Sequence, residues 1–184
     1  MAIPIPLSPQ RCYTGGMSIR PLALKPPDPR VRIRPVLRQD IPALRRLWPN
    51  RSETEVMQLV NRMLRQAEQR RGLGVVAVGR DGYSLTGYGQ LTLWSHAAEI
   101  ADLAVAETER GRGLGTGLIQ YLVRTAREMR ALRVEIGAAL SNFRAVALYR
   151  RLGFRDGRAI MVDLGNGLET VLYFYLDFSQ DKNP

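Results

Sequence analysis

The chain has 184 residues, 45% of them hydrophobic, and its 27 Lys and Arg against 17 Asp and Glu give a formal charge of +10. This length and hydrophobicity predict one folded domain with a tail, and they exclude disorder throughout the chain. A single cysteine, Cys12, and a single histidine, His96, exclude a disulfide framework, a Cys/His zinc site and a Cys-His nucleophile pair. We therefore expect no bound metal.

The apolar runs of the chain are short, and they fall far below the roughly 20 residues that a membrane-spanning helix needs. No secretory apolar segment follows Met1. The sequence therefore predicts no membrane partner and a cytoplasmic location.

The positive charge is concentrated in the first third of the chain, where residues 1–53 hold 10 basic and 3 acidic residues. Arginine supplies nearly all of the basic charge, since Lys25 and Lys182 are the two lysines of the chain. A nucleic-acid groove interleaves aromatic with basic side chains, and this third of the chain offers Tyr13 and Trp48. The composition argues against a nucleic-acid partner and favours solvated arginine-rich surfaces.

The N-terminal residues 1–30 contain seven prolines and no acidic residue before Asp28. Proline interrupts both helices and sheets, so we predict a flexible Pro/Arg-rich tail there. Met17 is an alternative start, and organellar targeting by the tail is a weaker alternative because its prolines oppose an amphipathic helix. Residues 179–184 are predicted to form a short C-terminal tail, which leaves a domain over 31–178.

The folded region is predicted to begin with a strand and two helices. Val31, Ile33 and Pro35 alternate with arginines, as is typical of an amphipathic strand. Asp40 stands where a helix start is expected, and apolar residues recur at helical spacing in 41–48 and again in 53–71. Strands are predicted at 73–78, 83–94 and 99–106, with a Gly-Arg-Asp-Gly turn between the first two.

The second half alternates helices and strands. A glycine-rich stretch over 110–117 opens a helix with apolar residues on one side and arginines on the other. A strand at 132–137, a helix at 142–151 and a hairpin of 154–164 with 170–176 follow. This order of strands and helices predicts an α/β domain in which a mixed sheet carries helices on both faces.

The glycine-rich loop suits a phosphate or pyrophosphate. Glycines let backbone N–H groups converge on an anion, and the start of the following helix adds partial positive charge. A Walker loop would need a lysine that this loop lacks, and Thr116 stands where a dinucleotide fingerprint has its third glycine. A plain structural turn is the alternative at this point.

Two motifs occur in a fixed order on the predicted elements. The first is Arg110-x-x-Gly113-x-Gly115, and the second is Asn142 with Tyr149, seven residues apart and ahead of a Gly-Phe pair. Together they resemble the GNAT superfamily of acyl-CoA-dependent N-acetyltransferases, whose coenzyme A loop the first motif matches at every fixed position. The resemblance covers residues 31–178 and implies a mixed, mostly antiparallel central sheet of about six to seven strands with helices on both faces.

The resemblance implies acetyl-CoA as co-substrate and a site for each of its parts. The pantetheine arm would pair with the backbone of Leu103, Ala104 and Val105, and Asn142 would hold it from the other side. Tyr149 would protonate the coenzyme A sulfur. The alternatives are a core aromatic residue for Tyr149 and an N-cap for Asn142. The pyrophosphate would lie on the backbone of Arg110, Gly111, Arg112, Gly113, Leu114, Gly115 and Thr116.

The general base has several candidates. Ala98-Glu99-Ile100 resembles the Glu-bearing strand of histone-type lysine acetyltransferases, and Glu135 is similar to the Glu of ribosomal-protein N-terminal acetyltransferases if two extra residues are allowed. We favour Glu99, with Glu135, Asp102, His96 or a water path as alternatives. Strand alternation predicts that Glu99 lies on the side of Leu103 and Val105, with Asp102 on the opposite side.

Three arginines, Arg112, Arg144 and Arg151, are candidates to meet the 3′-phosphate of coenzyme A by charge, with ordinary exposed helix residues as the alternative. The function that the resemblance implies is direct transfer of an acetyl group to a primary amine in a ternary complex, on a protein lysine or N-terminal amine. A small-molecule amine acceptor and a non-catalytic acyl-CoA-binding regulatory domain are the alternatives. Members of the family are often dimers, so a homodimer stays open, and the basic surface suggests an acceptor in an acidic protein context.

Overall fold

The computed structural model describes residues 32–178 except 80, 82, 164 and 166. The two predicted tails, 1–30 and 179–184, lie outside the described residues, as do Cys12, Met17 and the predicted first strand residue Val31.

Seven strands form one sheet in the order β1-β2-β3-β4-β5-β7-β6. Neighbouring strands are antiparallel except for the parallel pair β4 and β5. The elements are β1 (Arg32–Pro35), α1 (Ile41–Leu47), α2 (Glu53–Glu68), β2 (Gly72–Val78), β3 (Leu85–Trp94), β4 (Ala97–Val105), α3 (Leu114–Glu128), β5 (Arg133–Ala139), α4 (Phe143–Arg151), β6 (Arg155–Asp163) and β7 (Leu168–Asp177). This confirms the predicted order and the mixed, mostly antiparallel sheet.

The helices cover both faces of the sheet, as predicted. Helices α3 and α4 pack on one face, where their apolar residues, such as Leu118, Leu122 and Val146, form a cluster with Ile100 and Phe174 of the sheet. Helices α1 and α2 pack on the other face in a second cluster, formed by Leu44, Val56, Leu59, Val60, Met63, Val76 and Tyr88 among others. Burial of these apolar faces supplies most of the drive for folding.

Local side-chain contacts set the ends of the first helices. Ser52 and Glu55 form a reciprocal capping box that begins α2. Asp40 does precede α1, but its buried carboxylate does not cap the helix and instead accepts two hydrogen bonds from the Arg34 guanidinium at 2.7 and 2.8 Å. That ion pair ties β1 to the start of α1.

The α1–α2 face is covered over only part of its width among the described residues. The cluster beneath α1 and α2 takes its sheet residues from β2 and β3 and none from β5, β6 or β7. Side chains of the later strands on this face, such as Glu135 and Tyr173, are therefore half-buried and border an open surface. We call this surface of β4, β5, β7 and β6 the open face.

A β-bulge in β4 contradicts one sequence-based expectation. Tyr88 pairs with Ala104 while Gln90 pairs with Ala101, so two residues of β4, Asp102 and Leu103, oppose one residue of β3. Asp102 takes a left-handed conformation with φ of 51°. The side-chain alternation consequently shifts by one residue at this point.

The bulge reverses the predicted facing of the β4 side chains. Leu103 and Val105 pack with Ile100 in the cluster under α3, and Glu99, next to Ile100, points to the opposite side. Asp102 lies close enough to Glu99 to raise the pKa of that carboxyl group electrostatically. The prediction that Glu99 shares a side with Leu103 and Val105, away from Asp102, was wrong because plain alternation does not hold across a bulge.

The remaining differences are shifts of a few residues at element ends. Strand β3 begins at Leu85 and not at Tyr83. The reason is that the Asp81 carboxylate accepts hydrogen bonds from the backbone N–H groups of Tyr83 and Ser84, which keeps both residues in the turn. Strand β4 begins two residues earlier than expected, at Ala97.

Candidate functional site

Strands β4 and β5 part from each other halfway along the sheet. Their parallel pairing runs from Ala97 with Arg133 to Ile100 with Ile136 and then stops, although β4 continues to Val105 and β5 to Ala139. Beyond Ile100, the edge of β4 that faces β5 has no strand partner among the described residues. Unpaired backbone groups at such an edge can pair with an extended ligand chain. We call this opening the β4–β5 gap; it includes the predicted residues Leu103, Ala104 and Val105.

The glycine loop lies between β4 and α3, as the sequence predicted, after a short 3-10 helix over Glu107–Glu109. Gly111 and Gly113 have φ angles of 78° and 84°, and a Cβ atom built on either would meet nothing within 4 Å. Glycine is therefore needed for the left-handed backbone and not to avoid crowding. The outer side of the loop is open space, which leaves room for a ligand.

The loop offers backbone N–H groups and little net side-chain charge. Helix α3 begins at Leu114 after Gly113, no side chain caps it, and its first hydrogen bond inside the helix runs from Gly117 N to Gly113 O at 2.9 Å. The N–H groups of Leu114, Gly115 and Thr116 precede that bond and have no partner within the helix. The side chains of the loop arginines bond nearby carboxylates, Arg110 to Glu107 at 3.2 Å and Arg112 to Glu109 at 3.3 Å.

Asn142 is the N-cap of α4. Its side-chain oxygen accepts a hydrogen bond from Ala145 N at 3.2 Å. This confirms the capping role that the sequence left open for this residue. Contact of Asn142 with coenzyme A stays a prediction.

Tyr149 is a core residue of α4 with 5% of its surface exposed. Its ring packs edge-on against Phe174 at 5.6 Å between centroids and against Phe154 at 6.1 Å. No residue that the structure describes bonds its hydroxyl group, and burial raises the pKa of this group to about 12. The core packing confirms one alternative from the sequence, and a hydroxyl with this pKa carries its proton at neutral pH.

Glu99 lies on the open face beside Glu135, since the parallel pairing of β4 and β5 sets these two residues opposite each other. Burial, and then the neighbouring Glu135 charge, raise the pKa of Glu99 above its usual range. The Arg158 guanidinium and a hydrogen bond with the Trp94 side chain oppose that rise. A carboxylate with a raised pKa accepts a proton more readily near neutral pH.

The two other carboxylates on this face have arginine partners. Glu135 pairs with Arg158 at 3.2 Å and with Arg133 at 3.8 Å, and Asp102 pairs with Arg51 at 2.5 Å. Within the described part of the chain, Glu99 is in no such ion pair. Of the three carboxylate candidates for the base, Glu99 is the one that is not paired with a cation among the described residues.

The two arginines that pair with Glu135 and Asp102, Arg158 and Arg51, were not singled out from the sequence. Arg158 lies over the Tyr173 ring at 4.7 Å, and Arg51 lies over the Trp48 ring at 4.7 Å. Gly157, directly before Arg158, gave a signal that was available, because an isolated glycine inside a strand pattern indicates a bulge. The β6–β7 pairing indeed shifts between Asp156 and Ala159.

The remaining predicted candidates are exposed. His96 lies in the turn before β4, and its backbone carbonyl accepts a hydrogen bond from Leu132 N at 2.6 Å. Arg112, Arg144 and Arg151 are exposed around the glycine loop and α4, which is compatible with either of their predicted roles. Across residues 32–178 as described, no group of three His, Cys, Asp or Glu could hold a metal ion, and no helix is long and apolar enough to cross a membrane.

Residues 41–154 match the family model described as the acetyltransferase (GNAT) family, which is more than half of the chain. Among curated proteins, streptothricin acetyltransferase of Streptomyces lavendulae is 36% identical over 81 residues, which are 43% of this chain and 42% of that protein. The aligned stretch therefore spans less than half of that relative.

Solved structures share the fold across nearly their whole length. RimL, a ribosomal-protein alpha-N-acetyltransferase in complex with coenzyme A, superimposes with a TM-score of 0.72 at 17% identity, over 84% of this chain and 97% of that one. The acetyltransferase yncA of Salmonella typhimurium, described as putative and bound to acetyl-CoA, superimposes with a TM-score of 0.70 at 17% identity. The superposition covers 84% of this chain and 97% of that one. At these identities the likeness shows the fold.

Proposed function

Since this chain belongs to the GNAT acetyltransferase family, we propose that it transfers an acetyl group from acetyl-CoA to a primary amine directly, in a ternary complex. The observation that carries this proposal is the arrangement around the β4–β5 gap. A carboxylate with a raised pKa, Glu99, lies on one face of the sheet, and a protonated phenol, Tyr149, lies on the other.

The residues around the gap fit acetyl-CoA. The open outer side of Gly111 and Gly113, with the first N–H groups of α3, suits the pyrophosphate. The unpaired edge of β4 at Leu103 to Val105 suits the extended pantetheine arm, which carries amide groups that pair with a strand. When bound, acetyl-CoA supplies the acetyl thioester that is to be transferred.

Glu99 accepts a proton from the amine, and Tyr149 donates a proton to the leaving sulfur. An alkylammonium with a pKa near 10.4 is a poor nucleophile until it loses a proton, and Glu99 accepts that proton. Tyr149 donates its hydroxyl proton to the departing sulfur, and its raised pKa keeps that proton available at neutral pH. The nitrogen releases its second proton to solvent as the amide forms, and the Tyr149 oxygen regains a proton from solvent. Backbone N–H groups at the free edge of β4 stabilise negative charge on the acetyl oxygen.

The acceptor is a protein lysine or N-terminal amine in our proposal. The open face has no helix over β5, β6 and β7 among the described residues, which leaves a broad surface for a peptide segment beside Glu99. RimL, which shares the fold, is named for a ribosomal-protein alpha-N-acetyl transfer.

A small-molecule amine is the second candidate, because the curated relative at 36% identity is named a streptothricin acetyltransferase. Both candidates are tested by measuring coenzyme A release from acetyl-CoA with a panel of lysine peptides, N-terminal peptides and small amines. Release that depends on an amine supports the enzyme. Binding of acetyl-CoA without amine-dependent release would overturn it in favour of a non-catalytic domain.

A further inference from the structure

The three carboxylates on the open face are partnered unequally. Glu99 and Glu135 are neighbours across β4 and β5, and Asp102 follows on the bulge of β4. Two like charges this close cannot both ionise freely without a compensating cation. Arg158 supplies that cation, because its Nη2 atom lies 3.2 Å from Glu135 Oε2.

Arg158 is held in this position from two directions. The shift in pairing between β6 and β7 falls at Gly157 and Arg158, which redirects the local side chains. The guanidinium then lies over the Tyr173 ring at 4.7 Å, so the aromatic face fixes its plane. Three elements, β5, β6 and β7, therefore converge on one cation beside the Glu99–Glu135 pair.

We propose that Arg158 is a positioning residue: it binds Glu135 and thereby leaves Glu99 available as the proton acceptor of the site. The inference rests on the proposed function. Without Arg158, Glu135 would keep Arg133 at 3.8 Å, and its negative charge would act on Glu99 with less compensation. With Arg158, the Glu135 carboxylate is held in an ion pair, and Glu99 is left as the neighbouring carboxylate that can accept a proton.

The proton transfer balances within the site. The N–H bond of the acceptor ammonium breaks, an O–H bond forms on Glu99, and the nitrogen keeps the electron pair with which it attacks the acetyl carbon. Arg158 takes no part in these bond changes, so it acts on Glu99 through its charge alone.

The charges that face Glu99 set the expected direction of change. Glu135 and Asp102 raise the pKa of Glu99 and Arg158 lowers it, so removing Arg158 raises the pKa further. The groups that face Glu99 are Asp102 on β4, Trp94 on β3, Glu135 on β5, Arg158 on β6 and Tyr173 on β7. Arg51 acts on it indirectly, because it pairs with Asp102.

The test is a carboxyl-carbon NMR titration of the whole protein labelled with ¹³C-glutamate, with Glu99 and Glu135 assigned from Glu99→Gln and Glu135→Gln. Arg158→Met is expected to move the Glu99 titration upward by about one pH unit. Arg158→Lys keeps the positive charge, so its Glu99 titration is expected to stay close to that of wild type. Arg155→Met, an exposed arginine of the same strand, is the control and should leave the titration unchanged.

Two outcomes overturn the inference. One is a Glu99 titration that is the same in wild type and Arg158→Met, and the other is an equal effect of Arg158→Met and Arg158→Lys, which indicates packing and not charge. If Arg158→Met fails to fold, Arg158→Gln decides, because it also removes the guanidinium charge and must move the Glu99 titration upward. The titration needs no acceptor, so its failure is separate from the absence of amine-dependent coenzyme A release.

Discussion

Glu99 and Tyr149 lie on opposite sides of the same sheet, and Glu99 stands one residue before the last pair, Ile100 with Ile136, that joins β4 to β5. Tyr149 packs in the core under α3 and α4, whereas Glu99 faces Glu135, Asp102 and Tyr173 on the other side. We propose that groups from both faces reach one substrate at the β4–β5 gap. In our proposal the proton acceptor and the proton donor are thus kept apart by the sheet, and neither neutralises the other.

Tyr149→Phe is expected to lower kcat about 100-fold, because it removes the proton donor for the leaving sulfur. The phenylalanine ring keeps the contacts with Phe154 and Phe174, so the melting temperature should stay within about 1 °C. Steady-state kinetics with thermal denaturation check both. Tyr121→Phe, a partly buried tyrosine of α3, is the control, and a kcat unchanged in Tyr149→Phe would remove Tyr149 from the mechanism.

Gly113→Ala is expected to weaken acetyl-CoA binding and to destabilise the fold by about 1 kcal/mol or more, because Gly113 has φ of 84° and L-residues resist that conformation. Gly117→Ala is the matched control. Gly117 lies inside α3, and a Cβ there meets nothing within 4 Å, so alanine should stabilise the helix by up to about 1 kcal/mol. Calorimetric titration with acetyl-CoA and chemical denaturation of both variants give the comparison, and equal affinities would contradict the role of the loop.

Acetyl-CoA at about 100 times its Kd is expected to raise the melting temperature by about 5–10 °C, since a ligand that binds the native state at that concentration contributes about 2.7 kcal/mol. A thermal shift series at rising acetyl-CoA concentration checks this. Acetate at the same concentrations is the control. An unchanged melting temperature would indicate that the glycine loop does not hold the nucleotide.

Asp102→Asn is expected to raise the KM of the amine acceptor up to about fivefold and to leave the KM of acetyl-CoA unchanged. Asparagine tolerates the φ of 51° at this position, so the change weakens the ion pair with Arg51 without straining β4. The pair is partly exposed, with side-chain exposures of 36% for Arg51 and 20% for Asp102. This exposure limits the interaction free energy of the pair to about 1 kcal/mol.

Asp156→Asn provides the matched control for this change, because Asp156 forms an exposed ion pair with Arg150 at 2.6 Å. Steady-state kinetics with each substrate varied in turn distinguish the two variants. A rise in the KM of acetyl-CoA, or an equal effect of both variants, would show that the Arg51–Asp102 pair does not serve the acceptor side.

The sequence predicted the order of strands and helices because their apolar residues repeat with clear periods and the glycines mark the ends. It also located the glycine loop and the N-cap Asn142. The facing of Glu99 could not be obtained, because alternation is local and the bulge at Asp102 depends on pairing with β3. Likewise, Arg158 on β6 reaches Glu135 on β5 across the strand between them, β7. No spacing along the chain reveals this contact.

The pH dependence of kcat/KM for amine-dependent coenzyme A release, measured for wild type and Glu99→Gln, tests the central claim most directly. Burial and Glu135 raise the pKa of Glu99, so the wild-type rate should fall as the pH drops through an apparent pKa above the usual range for glutamate. Glu99→Gln should lose this limb and about 100-fold or more of the rate at neutral pH, while Glu128→Gln, an exposed glutamate at the end of α3, should match wild type. An identical limb and rate in wild type and Glu99→Gln would contradict the account.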